Sequence, residues 1–306
     1  MSKISIALAT YNGATYLPEL LDSLSRQSLA ADEIIAVDDC SKDDTIKILQ
    51  KYSKKLPIRI IVNESNLGVN KNFEKAVKES KGDYILICDQ DDVWFENNIE
   101  EKISALRKLA ENKPALVASR SIVTDSKLNI LQKRHCNKDI VDFQELFTKY
   151  FQGTTMAFNR LLVEKLSMQW PVQFKEFPYD QFLYLTALLT GNVCVLSKSL
   201  MYYRTHKNNA SLKISALHNA LKKLFPTAKL YQDYLTIQSL KNMEQILLNV
   251  KNSGIPERIL YAESLVNCKK DNRINWIQFL GLKKIPLNIR IRTLAGSFFF
   301  FLKKIV

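Results

Sequence analysis

The chain has 306 residues, of which 46% are apolar and 25% charged, a composition typical of a folded soluble protein long enough for a sizeable core. No run of about 18 apolar residues occurs, so the sequence predicts no membrane-spanning helix. The five cysteines are odd in number and form no Cys-x-x-Cys pair, which argues against a zinc site or a disulfide framework.

The net charge of +13 is concentrated in the last third of the chain. Residues 207–306 contain 17 Lys and Arg against 5 Asp and Glu, whereas the first 206 residues are nearly neutral. This asymmetry predicts an anionic partner for the C-terminal third, either nucleic acid or an acidic membrane face. Residues 1–9 are too short and too strand-like for a secretion signal, so we expect the protein to stay in the cytoplasm.

Strands and helices alternate along the N-terminal part of the chain. The predicted strands are residues 4–9, 33–37, 58–62 and 84–88, and the predicted helices between them are residues 16–27, 43–55 and 73–80. This alternation predicts an α/β fold with a doubly wound, mostly parallel sheet. Further strands are predicted at 115–119 and 193–196, and an apolar helix is predicted at 181–189. Residues 153–159 predict a turn that leads into a short strand.

Beyond residue 210 the pattern becomes helical alone, so we predict a first domain over residues 1–209 and a basic helical region over 210–306. The predicted helices of this region are residues 213–225, 227–252, 257–268 and 286–304. In the last of them, four consecutive phenylalanines at 298–301 are flanked by Arg and Lys. Such a segment can lie on an anionic bilayer, and it can equally pack its aromatic face on the core of its own protein.

An acidic cluster directly follows the most apolar of the early strands. Residues 84–88 run into Asp89-Gln90-Asp91-Asp92, where three carboxylates fall within four residues. Like charges this close repel each other, and a divalent cation such as Mn²⁺ or Mg²⁺ would remove the conflict. The alternative is a solvated acidic turn. A second strand ends in Asp38-Asp39, and parallel strands end at the same edge of a sheet, which predicts a shared pocket.

Four motifs, in order and at similar spacing, resemble family 2 glycosyltransferases of the GT-A fold over residues 3–206. They are Ala9-Thr10-Tyr11-Asn12-Gly13, Val37-Asp38-Asp39, Asn66-Leu67-Gly68 and Asp89-Gln90-Asp91-Asp92. The continuation to Val93-Trp94 and the segment Tyr203-Arg204-Thr205-His206-Lys207-Asn208-Asn209 are similar to a rhamnosyltransferase-like branch of that family.

The resemblance implies a donor site for a nucleoside diphosphate sugar, UDP- or dTDP-linked. The residues implied around the nucleotide are Thr10, Tyr11, Asn12, Asp38, Asp39, Asn66, Gly68, Asn72 and Asp89. Asp39 is similar to a carboxylate that accepts a hydrogen bond from a pyrimidine base. Asp91 and His206 would hold the cation, with Asp89 as a further ligand. For His206 the alternative is a surface histidine.

The resemblance also implies a general base and an acceptor side. Asp180 precedes a helix where the family carries an Asp or Glu-Asp motif, although Glu176 is not adjacent to it; a helix N-cap role is compatible with a base. A base within reach of the acceptor hydroxyl contributes roughly 10²–10⁴-fold to the rate. Gly153 and Thr154 would lie beside the acceptor, and Trp94 would either stack on a sugar or belong to the core.

These residues together predict an inverting, metal-dependent transferase. It would move a hexose or deoxyhexose to a glycan hydroxyl, with a lipid-linked intermediate of bacterial surface polysaccharide synthesis as the acceptor. We expect it on the inner face of the cell membrane as a peripheral protein, with no nucleic acid bound.

Three other classes compete with the transferase hypothesis. A nucleic-acid-binding protein would use the basic C-terminal third, which lacks a finger pattern or a recognition-helix motif. A sugar-nucleotide synthase would need a glycine-rich N-terminal loop, yet Gly13 is the only glycine before Gly68. An inactive sugar-nucleotide-binding module would share the fold without the reaction.

Overall fold

The computed structural model describes residues 2–110, 112–133, 138–142, 146, 151–166, 178–207, 209, 246, 254–260 and 262–263. The described strands are Ile4–Thr10 (β1), Glu33–Asp38 (β2), Ile58–Val62 (β3), Tyr84–Asp89 (β4), Val93–Trp94 (β5), Ala115–Thr124 (β6), Ile130–Lys133 (β7), Met156–Asn159 (β8) and Asn192–Arg204 (β9). The described helices are Leu17–Ser25 (α1), Thr45–Tyr52 (α2), Val69–Glu79 (α3), Asn98–Leu109 (α4), Arg160–Leu166 (α5) and Tyr179–Thr190 (α6), with a 3₁₀ turn at Gly153–Thr155.

All nine strands of the described chain belong to one sheet, in the order β3-β2-β1-β4-β8-β6-β9-β5, with β7 paired on β6. The first four strands in this order are parallel, as the alternation of strands and helices predicts. The second half is mixed, because β8 runs antiparallel to both β4 and β6 and β5 runs antiparallel to β9. The sheet is therefore less parallel than expected, and its two halves have different architectures.

Apolar side chains on the two faces of the sheet form two cores. Helices α1, α2 and α4 cover one face, and α3, α5 and α6 cover the other. The apolar stripe predicted for α1 is confirmed, since Leu17, Leu20, Leu21 and Leu24 are all buried. Burying each such side chain contributes about 1.5–3 kcal/mol relative to leaving it exposed, so this helix is held by its packing.

Part of the region assigned to the C-terminal helices packs on the first domain. Ile259 and Ala262 are buried in the same core as α6. The backbone N–H of Ile255 donates to the carbonyl oxygen of Leu189 at 2.8 Å. The Arg258 Nη1 atom donates to two further carbonyls at the C-terminal end of α6. At least this segment is thus anchored to the sheet domain.

The other helices predicted beyond residue 210 lie outside the described residues, apart from Ile246, and so does the aromatic and basic segment 290–304. Within the described part of the chain, no helix combines the length and apolar character needed to cross a membrane.

Candidate active site

The polar ends of three parallel strands meet at one edge of the sheet. In the strand register Thr10 lies opposite Asp38, and Ala9 lies opposite Asp89. The two acidic motifs, far apart in sequence, therefore flank the end of β1. This is the edge at which open α/β sheets bind their ligands.

Asp39 is held by three N–H donors at the mouth of β2. Its Oδ1 accepts from the Asn63 side chain at 2.9 Å and from the Leu67 backbone at 2.8 Å, and its Oδ2 accepts from the Gly68 backbone at 2.9 Å. Gly68 has a φ of +86°, which glycine adopts without a steric penalty. A carboxylate offers about four acceptor positions, so the described residues leave one, on Oδ2. Asn63 was missed in the sequence, where only its place after a strand singles it out.

Thr10, Asp38 and Asn72 are buried to the same extent as Asp39 and lie beside it. Asp38 is fully buried and accepts hydrogen bonds from the Thr10 hydroxyl and from the Ser41 backbone and hydroxyl. The Asn72 side chain is buried as well and donates to the carbonyl oxygen of Val37. These three side chains brace the loops around Asp39, and their assignment to the nucleotide site stays a prediction.

Tyr11, Asn12 and Asn66 form the exposed rim of the same pocket. Tyr11 is 46% exposed, and its backbone exchanges two hydrogen bonds with the Gln90 side chain, which ties the first loop to the acidic turn. Asn12 accepts from the Lys42 backbone, and the Asn66 side chain donates to the Asp39 carbonyl. The structure thus brings these predicted residues together around Asp39.

The acidic cluster is preserved in three dimensions. Each of Asp89, Asp91 and Asp92 places a carboxylate oxygen within 4.8 Å of the others. Burial raises the pKa of the Asp89 carboxyl well above its usual value, and the charges of Asp91 and Asp180 raise it further. Burial likewise raises the pKa of Asp92, followed by the charges of Asp91 and Asp89. An all-oxygen donor set whose charges repel each other fits a divalent cation such as Mg²⁺ or Mn²⁺.

The chain after β9 closes over Asp91. The His206 Nε2 atom lies 2.8 Å from Asp91 Oδ2, and the Asn209 side chain donates to the same oxygen at 3.3 Å. Pairing of β9 with β5, which directly follows the acidic turn, brings these residues into reach. A cation at Asp91 would find the His206 imidazole next to it, as the resemblance implies.

Asp180 lies in the first turn of α6, facing the 3₁₀ turn. Its Oδ2 accepts a hydrogen bond from the Gly153 backbone at 3.0 Å, and a Cβ added at Gly153 would lie only 3.0 Å from the Asp180 Cβ. A side chain at position 153 would therefore require Asp180 to shift by a few tenths of an ångström. The N-cap of α6 is Pro178, so the expectation of an N-cap role for Asp180 is wrong.

Two residues assigned to the acceptor side are fully or almost fully buried. Trp94 is 2% exposed and packs in the core, where Lys102 Nζ lies 5.2 Å from its ring centroid, so it has no face to offer a sugar. Thr154 is buried too, and its hydroxyl lies 3.5 Å from the backbone nitrogen of Asp89. Gly153 lies beside Asp180, and the assignment of Gly153 and Thr154 to the acceptor side stays a prediction.

Two relatives illustrate what the sequence is similar to. The poly(ribitol-phosphate) beta-N-acetylglucosaminyltransferase TarS of Staphylococcus aureus is 27% identical over 221 residues, which are 68% of this chain and 36% of TarS. An uncharacterized glycosyltransferase of Rickettsia prowazekii is 30% identical over 171 residues, 54% of this chain and 52% of that protein. The chain thus spans about a third of the length of TarS and about half of the length of the Rickettsia protein.

Solved structures agree with the fold. Residues 1–349 of S. aureus TarS in complex with UDP-GlcNAc superpose with a TM-score of 0.64 at 20% identity, covering 86% of this chain and 70% of that one. The same fragment in complex with UDP superposes with a TM-score of 0.58 at 19% identity, covering 89% of this chain and 92% of that one. The family described as glycosyl transferase family 2 matches residues 5–167, over half of the chain. The chain therefore belongs to glycosyl transferase family 2 and has the GT-A fold.

Proposed function

We propose that this protein is an inverting, cation-dependent glycosyltransferase that uses a uridine or thymidine diphosphate sugar. The observation that carries the proposal is the meeting of Asp39, the acidic cluster and Asp180 at one edge of the sheet. The transferred sugar is a hexose, a deoxyhexose such as rhamnose, or an N-acetylhexosamine. The last of these follows from the TarS structure that contains UDP-GlcNAc.

Asp39 selects the nucleobase. Its remaining acceptor position on Oδ2 suits the imide N–H that uracil and thymine present, because a carboxylate accepts such a bond strongly. The three protein donors hold the carboxylate in one orientation before the nucleotide arrives. A cytosine ring carries no proton at the same position, so the pocket discriminates against it.

Asp180 acts as the general base. An acceptor hydroxyl is a poor nucleophile until its proton is removed, and Asp180 takes that proton as the oxygen attacks the anomeric carbon. Attack opposite the departing nucleoside diphosphate gives a single displacement with inversion. Its bond to the Gly153 backbone keeps the carboxylate turned towards the cluster. Asp91, His206 and Asp89 would hold a divalent cation, which would neutralise the negative charge that develops on the leaving diphosphate.

The acceptor is a hydroxyl of a bacterial cell-surface glycan or of its lipid-linked intermediate. The net charge of +12 over residues 207–306 supports an anionic acceptor or an anionic membrane surface. The relative TarS acts on a poly(ribitol-phosphate), which is itself an anionic chain. The protein then works at the inner face of the membrane, without nucleic acid.

The test is a donor-turnover screen over UDP-, dTDP- and GDP-sugars with Mn²⁺ or Mg²⁺. We expect metal-dependent release of one nucleotide, lost in Asp91→Ala and kept in Asp44→Asn, a variant of an exposed carboxylate. Asp180→Asn should bind the nucleotide but lose roughly 10²–10⁴-fold in acceptor-dependent rate. No turnover of any donor, with no nucleotide-dependent change in melting temperature, would refute the proposal.

A further inference from the structure

Arg204, the last residue of β9, is a buried arginine beside the acidic cluster. It is 2% exposed. Its Nε donates to the carbonyl oxygen of Asp91 at 2.8 Å, and its Nη1 donates to that of Ser126 at 2.7 Å. Its Nη2 pairs with the carboxylate of Glu19 in the first turn of α1. A buried guanidinium is tolerated only when its donors are paired, so these contacts fix three separate segments against each other.

The same residue reaches Asp92 through its backbone. The Arg204 backbone N–H donates to Asp92 Oδ1 at 3.0 Å. Its carbonyl oxygen accepts from the Asn209 side chain at 3.0 Å, and that side chain also donates to Asp91 Oδ2. Arg204 therefore touches the acidic turn at the main chain of Asp91 and at the side chain of Asp92.

Tyr16 connects Arg204 to His206. The Arg204 Cζ atom lies 4.6 Å from the centroid of the Tyr16 ring, and the ring centroids of Tyr16 and His206 are 4.6 Å apart. A guanidinium at this distance is attracted to the face of the tyrosine ring. These contacts lead from the guanidinium to the His206 ring, whose Nε2 atom lies 2.8 Å from Asp91 Oδ2. The position of the guanidinium therefore affects the positions of both proposed ligands, Asp91 and His206.

We infer that Arg204, held by Glu19, is a positioning residue that makes Asp91 and His206 converge on one cation. The inference rests on the proposed function. Arg204 fixes the main chain of Asp91 from one side and, through the Tyr16 ring, the imidazole of His206 from the other. Without the guanidinium donors Asp91 and His206 no longer converge on one cation, whereas the hydrogen bonds that hold Asp39 do not involve Arg204 and stay in place. Partners that orient metal ligands affect metal affinity even though they do not touch the ion.

The experiment measures Mn²⁺ binding by EPR titration, with Mn²⁺ alone and with saturating UDP, in Arg204→Lys and Glu19→Gln. Lysine keeps the charge but loses the planar fork that reaches several acceptors at once. The matched control is Arg160→Lys, because Arg160 also donates to main-chain carbonyls, those of Ser80 and Gly82, remote from the cluster. UDP binding is measured in parallel in EDTA.

We expect Arg204→Lys to weaken Mn²⁺ binding about 10- to 100-fold and Glu19→Gln less, because its amide oxygen still accepts a bond. UDP binding in EDTA should stay unchanged. If Arg204→Lys does not fold, Glu19→Gln decides, since the Glu19 side chain is 56% exposed.

Equal Mn²⁺ affinity in Arg204→Lys, Glu19→Gln and the Arg160→Lys control would overturn the role of Arg204. If the wild-type chain turns over a donor in the same experiment, the proposed function stands. A wild-type chain that neither binds Mn²⁺ nor turns over any donor would overturn the proposed function as well.

Discussion

Lys102 on α4 is a fully buried lysine, and its replacement by methionine should stabilise the protein. The Nζ atom has no hydrogen-bond partner among the described residues and lies 5.2 Å from the centroid of the Trp94 ring. Burial lowers the pKa of Lys102 to about 7, even though Cys88 and Asp92 favour its charged form. A lysine in such a place destabilises the folded state whenever it carries its proton.

The size of this effect follows from the pKa. A fall from 10.5 to about 7 is 3.5 units, which corresponds to about 5 kcal/mol at 1.36 kcal/mol per unit. Below pH 7 both the folded and the unfolded chain hold the proton, so the full penalty applies. Between pH 7 and 10.5 the unfolded chain binds more protons than the folded one, so stability rises with pH and the penalty shrinks.

The assay is reversible urea unfolding of wild type and Lys102→Met at pH 6.5 and 8.5. We expect the variant to have the larger free energy of unfolding, by an advantage that is about 2 kcal/mol smaller at pH 8.5 than at pH 6.5. Lys47→Met, at a side chain that is 80% exposed, is the control and should stay within about 0.5 kcal/mol of wild type. A less stable Lys102→Met variant, or an advantage independent of pH, would refute the reasoning.

Three further substitutions test the nucleobase pocket and the steric role of two glycines. Asp39→Asn removes the charge that accepts the imide proton, so UDP affinity measured by calorimetry should fall about 10- to 100-fold, and an unchanged affinity would place the base elsewhere. Gly191→Ala would put a Cβ 1.9 Å from the Pro114 carbonyl oxygen, and we expect a loss of more than about 2 kcal/mol in thermal unfolding. In Gly68→Ala the new Cβ would meet no atom within 4 Å, and the only strain comes from the φ of +86°. We therefore expect this variant to lose about 1 kcal/mol of unfolding free energy. Equal losses at Gly191 and Gly68 would contradict the steric argument.

The parallel half of the sheet could be predicted because its signals are local. The strands of this half are apolar runs separated by amphipathic helices, and the predicted boundaries of β3 match the observed ones. The edge shared by Asp39 and Asp89 follows from the parallel arrangement alone. The candidate site was predictable there because its motifs follow these strands in sequence and resemble those of a known family.

The other half could not be predicted because its contacts are long-range. Val93–Trp94 is too short for any periodicity, yet it pairs with a strand more than a hundred residues later. Trp94 follows the acidic turn in sequence. Because successive side chains of a strand point to opposite faces, its ring lies on the face that packs into the core. The guanidinium of Arg204 joins three segments that lie far apart in sequence, so no local sequence pattern predicts this contact.

The irregular pairing of β9 explains how His206 comes to lie next to Asp91. Between Val195 and Tyr202 β9 advances seven residues, while β6 advances four between Ala118 and Ile122. The extra residues are bulges, which bend a strand and increase its twist. After the bulges β9 pairs with β6 again, from Tyr202 opposite Ile122 to Arg204 opposite Thr124, and Tyr202 also lies opposite Val93 of β5. The last residue of the strand, Arg204, thereby reaches the acidic turn. A regular continuation from Val195 opposite Ala118 would place Met201, and not Arg204, opposite Thr124. The three extra residues therefore determine that Arg204, and with it His206, lies next to Asp91.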